Sequence, residues 1–82
     1  MTKEELQTIV LRLLGNIAPE ADLAHLNPTV NLRDQLDIDS MDFLNFVIAL
    51  DKEFHVAVPE TAYSQIATLQ GCVTYLAQRL EG

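Results

Sequence analysis

The chain has 82 residues, 49% of them apolar, which is enough for one small domain and too many for a disordered tail. Twelve acidic residues against five basic ones give a net charge of −7. That balance excludes a nucleic-acid binder, which needs cations to neutralise phosphates, and suits basic partner proteins.

The single cysteine, Cys72, excludes an intrachain disulfide, and the two distant histidines give no zinc-ligand spacing, so no metal site is expected. A deep catalytic cleft is not expected in a core this small. The first residues, Met1-Thr2-Lys3-Glu4-Glu5, are acidic where a signal peptide is basic and then apolar. No apolar run approaches a membrane span. The expectation is one domain over residues 1–82, a cytoplasmic monomer without membrane contact.

Thr2 and Glu5 stand at the spacing of a capping box and open the first predicted helix. Leu6, Ile9, Val10, Leu13, Leu14 and Ile17 follow as one helical face, and Gly15 and Pro19 mark its end. Residues 16–38 carry Pro19, Pro28, three asparagines and several acids. They read as a long loop anchored by Leu23, Leu26, Val30, Leu32 and Leu36, and loops of that length are often functional.

The second predicted helix starts near Ser40 and runs to about Phe54. Val58-Pro59 stops one element and starts the next, because the residue before proline avoids helix while proline suits a helix start. Residues 60–66 are predicted as a short third helix. Thr68 can cap the fourth, whose stripe is Leu69, Cys72, Val73, Leu76, Ala77 and Leu80. Cys72 then reads as a small buried residue, and His25 and His55 as surface residues.

The chemistry concentrates at Asp39-Ser40-Met41, at the head of an apolar run. If Asp39 is the N-cap, Ser40 is the first helical residue and its hydroxyl stays free. A phosphodiester on that hydroxyl would lie at the positive end of the helix dipole, near unpaired backbone N–H groups. The other reading makes Ser40 itself the cap, with no further role. No placed base or oxyanion motif accompanies Ser40, so no catalytic residue is assigned. Asp37, Asp39 and Asp42 do not form a calcium loop, since Met41 and Ile48 stand where oxygen ligands belong.

Eight of the ten residues 41–50 are apolar, too many for one buried face. Phe43, Val47, Leu50 and Phe54 form one stripe, read as core. Leu44 and Ile48 form a second on the side of Ser40, to be exposed or covered by the 16–38 loop. The acids Asp37, Asp39, Asp42, Asp51, Glu53 and Glu60 surround this helix. Their summed field is a better candidate for function than any single pair.

The order of these parts resembles the acyl carrier proteins along nearly the whole chain. An amphipathic helix, a long loop, Asp39-Ser40-Met41, an apolar helix ending in Glu53-Phe54, Val58-Pro59-Glu60, a short helix and a final helix after Thr68-Leu69 follow in the family's spacing. The resemblance implies an all-α four-helix bundle with a long connection between helices 1 and 2 and a short helix 3. It implies that Ser40, with Asp39 beside it, carries 4′-phosphopantetheine as a covalent cofactor, placed there by a phosphopantetheinyl transferase. The arm would hold an acyl or aminoacyl group as a thioester. The chain would be no enzyme itself, serving a loading ligase and a downstream transferase or synthase in fatty acid, polyketide or nonribosomal peptide biosynthesis. Met41, Asp42, Leu44 and Ile48 would meet those partners.

Four positions depart from the family pattern. Met41 stands for the usual leucine, a mild change. Asn45 stands where fatty-acid carriers usually have a glutamate. Phe43 and Tyr63 replace smaller residues near the gap in which those carriers shelter acyl chains. A specialised carrier of short, polar or aminoacyl cargo is therefore expected. The rival is a small acidic adaptor that binds a partner through the same helix and is never modified.

Overall fold

Thr2 begins the fold by closing both halves of its capping box. Its hydroxyl accepts the Glu5 N–H at 3.1 Å, and the Glu5 carboxylate accepts the Thr2 N–H at 3.0 Å. In the computed structural model, which describes residues 1–81, helix α1 spans Lys3–Ile17. It runs through Gly15 rather than ending there, since glycine lowers helix propensity without forbidding it. Leu6, Val10, Leu13 and Leu14 are buried, while Ile9 and Ile17 are only partly so.

The segment expected as plain loop holds more structure than that. It contains a 3-10 turn, Leu23–His25, and a short helix α2, Leu32–Leu36. Asn31 caps α2 by accepting the Arg33 N–H at 2.9 Å. Gln35 holds the approach together: its amide donates to the carbonyls of Asn27 and Val30 at 2.8 and 2.9 Å and accepts the Asn27 N–H at 3.0 Å. Two backbone bonds tie this stretch across the molecule. Leu32 N–H reaches the Ala67 carbonyl at 2.8 Å, and Gln70 N–H reaches that of Pro28 at 2.9 Å. Leu32 is fully buried as a result.

Helix α3 spans Ser40–Phe54, as the sequence predicts, and ends on His55 in the left-handed region at φ 56°. The predicted helix over 60–66 is instead a 3-10 turn, Glu60–Ala62, followed by turns. The N–H groups of Ala62, Tyr63 and Gln65 each reach the carbonyl three residues back, at 2.8, 3.1 and 3.0 Å, which is the 3-10 pattern and not the α-helical one. Helix α4 spans Leu69–Glu81. Thr68 serves its start, its hydroxyl accepting the Gly71 N–H at 3.0 Å.

All the described secondary structure is helical: four α-helices and two 3-10 turns. α1 packs on both α3 and α4, and the core lies among them. Leu6, Val10 and Leu14 meet Phe46 and Leu50 there, with Ile66, Cys72 and Leu76 closing the other side, all fully buried. Burying such side chains is the main force that holds a domain of this size together. Leu80, expected on the buried stripe, is 42% exposed, and Tyr75, outside that stripe, is buried instead. Arg12 and Glu53 form an ion pair between α1 and α3. Gly82, in the expected 1–82 domain, lies outside the described residues.

Candidate functional site

The turn between α2 and α3 aims the site. Asp37 ends α2 in the left-handed region at φ 54°, a conformation aspartate tolerates better than most residues. Its N–H and that of Ile38 both reach the Arg33 carbonyl. Only Asp37, Ile38 and Asp39 separate the end of α2 from the first residue of α3.

Asp39 is the N-cap of α3. Its backbone is extended and its carboxylate accepts the Asp42 N–H at 2.8 Å. Its carbonyl accepts the Phe43 N–H at 3.0 Å, the first bond of the helix. Ser40 is therefore the first helical residue, exposed, with a hydroxyl that capping does not use. The N–H groups of Ser40 and Met41 have no place in the helical ladder. The positive end of the α3 dipole sits there with them.

Beside Ser40 lies a shallow, open hollow of about 380 Å³, lined by Ser40, Met41, Leu44, Glu60 and Tyr63. The 3-10 turn at Glu60–Ala62 thus faces the start of α3. Further along α3, Met41, Leu44 and Ile48 are 63%, 41% and 44% exposed. The 26–36 stretch folds toward Ala67 and Gln70, which leaves these three side chains uncovered. Asp42 is half-buried, and Asp37, Asp39, Asp51, Glu53 and Glu60 are exposed.

Phe43 and Tyr63 come together as the sequence suggests. Their rings meet edge-on, with centroids 5.8 Å apart. Phe43 is buried and also tilts against Phe46 at 6.1 Å. Tyr63 is half-buried. Glu60 is the lining residue that sequence reasoning grouped only with the surrounding acids. Its place at the hollow depends on the turn after Pro59, which has no periodic signature.

A phosphodiester fits this geometry. The free hydroxyl could take one, the α3 N-terminus would offer compensating charge, and Met41, Leu44 and Tyr63 line the hollow beside it. Among the described residues, no group of three or more His, Cys, Asp or Glu is placed to hold a metal ion. No described helix is long and apolar enough to cross a membrane.

Comparison with known proteins agrees on one family. The family model described as a phosphopantetheine attachment site matches residues 4–76. The acyl carrier protein of Guillardia theta is 30% identical over 77 residues, covering 94% of this chain and 89% of the relative. That of Cyanidioschyzon merolae is 31% identical over 75 residues, 92% of this chain and 77% of the relative. Among solved structures, an acyl carrier protein from Enterococcus faecalis superposes with a TM-score of 0.79 at 26% identity, covering 95% of this chain and 98% of that one.

Proposed function

The chain belongs to the acyl carrier protein family, whose covalent cofactor is 4′-phosphopantetheine, and on that premise we propose that Ser40 is the residue that bears the arm. The observation that carries this reading is the division of labour at the head of α3: Asp39 makes the cap, so Ser40 is free to be modified. When bound, the arm supplies a thiol that holds an acyl or aminoacyl group as a thioester. The protein's own part is to fix the attachment point, stabilise its negative charge and present a surface to partner enzymes.

That surface is α3. Met41, Leu44 and Ile48 give exposed apolar contact beside Ser40, and Asp42 adds charge next to it. Apolar anchors within a charged rim are the usual anatomy of a docking patch. The acids around α3 steer basic partners toward it. The partners under this reading are a phosphopantetheinyl transferase, a loading ligase and a downstream transferase or synthase. The pathway is a specialised one rather than bulk fatty acid synthesis, and the carrier works as a cytoplasmic monomer.

The test is direct. The protein is incubated with coenzyme A and a broad-specificity phosphopantetheinyl transferase, and its intact mass is measured. The expected result is a gain of one arm per chain that disappears in Ser40→Ala. Folded protein that gains nothing would favour an unmodified adaptor that binds through the same face of α3.

A further inference from the structure

Tyr63 belongs to two neighbourhoods. On one side it lines the hollow with Ser40, Met41, Leu44 and Glu60. On the other its ring meets Phe43 at 5.8 Å and 70°. Phe43 in turn leans on Phe46. Exposure falls along this row, from half-buried Tyr63 through 7% for Phe43 to 0% for Phe46. The three rings therefore run from the wall of the hollow into the core. Rings at such separations are in contact, and interiors packed this way leave no slot for a hydrocarbon tail between them. The edge-on pairing is itself attractive, so parting the rings is opposed.

Resting on the reading that Ser40 bears the arm, we propose that Tyr63 and Phe43 set the cargo limit of this carrier: they close the way from Ser40 to the core, so the acyl group stays in the open hollow and must be short or polar. A long alkyl chain held there would remain in water, which is unfavourable. The polar rim of the hollow selects further. The Glu60 carboxylate accepts hydrogen bonds, and the Tyr63 hydroxyl can accept or donate. An acyl group bearing an amine or hydroxyl finds partners there. One ending in a carboxylate meets the like charge of Glu60 and of the acids around Ser40.

The test loads the protein from acetyl-, octanoyl- and dodecanoyl-coenzyme A with a broad-specificity transferase. Intact mass verifies each product before its thermal melt. The octanoyl and dodecanoyl forms are expected to melt within about 1 °C of the acetyl form. A chain sheltered inside would raise Tm by about 4 °C or more in a domain this small, and that result would overturn the proposal. Tyr63→Ala removes the ring at a half-buried position; its octanoyl form is expected to melt several degrees above its acetyl form. A folded variant as indifferent to chain length as the parent would also overturn the limit assigned here. Phe43→Leu, a smaller loss of volume, makes the same comparison if Tyr63→Ala does not fold. Failure of the Ser40 reading is distinct, because no mass gain would be seen before any melt is run.

Discussion

The carboxylate of Asp39 accepts the N–H of Asp42 at 2.8 Å, across the two residues that begin α3. Ser40, one of those two, should therefore respond to mutation very differently from its neighbour. Asp39→Ala removes the cap and is expected to cost about 1 kcal/mol. In a domain of this size that lowers Tm by about 4–8 °C. Ser40→Ala should stay within about 0.5 kcal/mol of the parent, because the serine supports nothing. Melting curves of the two variants decide the matter. A costlier Ser40→Ala would mean that the serine caps the helix and that its hydroxyl is not free.

Gly71 and Gly15 both lie inside helices, yet they should tolerate alanine in opposite ways. A Cβ on Gly71 would stand 2.1 Å from the Gln65 carbonyl oxygen, where the turn after the 3-10 segment crosses the start of α4. Backbone cannot step aside cheaply, so Gly71→Ala is expected to destabilise by about 1–3 kcal/mol. A Cβ on Gly15 would meet only Leu23 Cδ1 at 3.3 Å, the end of a flexible side chain. The gain in helix propensity, about 1 kcal/mol, then makes Gly15→Ala neutral to stabilising. Urea midpoints measured on the two variants should fall on either side of the parent's.

Residues that form long helices advertise it locally, and the rest depend on distant partners. The Thr2–Glu5 box, the apolar stripes and the Asp39 cap are all set by spacing within a few residues, so α1, α3 and α4 could be read directly. Helix α2 could not, because one turn and a half shows no period. It is held by the Asn31 cap and the Gln35 amide, which are local but leave no periodic mark, and by the bond from Leu32 to Ala67, far away in the chain. The segment after Pro59 reads as helix because proline suits a helix start, and nothing in its sequence separates a 3-10 turn from an α-helix. Tyr75 escapes an apolar stripe, which discounts tyrosine, although its ring is buried under Arg79, 4.9 Å from the centroid. The place of Ser40 at the head of α3 and the nearness of Phe43 to Tyr63 are within reach of the sequence. Glu60 in the hollow is not, since only the turn places it there.

Acid should loosen the N-terminus of α1. The Glu5 carboxylate accepts the Thr2 backbone N–H, and this bond first, then the Thr2 side chain, holds its pKa below the ordinary 4.5. A pKa lower in the folded state means a contribution to stability present above the unfolded value. That contribution is lost as pH falls through the folded one. The window therefore opens at about 4.5 and extends below it. An NMR titration of the Glu5 carboxyl carbon should show its inflection below 4.5. Glu5→Gln should flatten the acid limb of the stability curve. An inflection at or above the ordinary value would remove the capping box as its cause.

Cys72 is buried, and desolvation of the thiolate pushes its pKa from 9.0 up to about 12. The thiolate is the reactive form, so the folded protein should protect this thiol from both reagent and ionisation. Folded Ser40→Ala protein is expected to show no reaction with an aromatic disulfide reagent at neutral pH, while the unfolded chain shows one thiol. Protein bearing the arm should then show one thiol when folded, that of the arm, which makes the reagent a simple count of carrier loading. Because the folded pKa is raised, the stability linked to the neutral thiol is fully present below 9.0 and is lost as pH rises toward about 12. Cys72→Ala should lack that alkaline decline, seen as a urea midpoint that no longer falls from neutral to about pH 10. Rapid labelling of folded Ser40→Ala at neutral pH would show instead that α4 opens readily at Cys72.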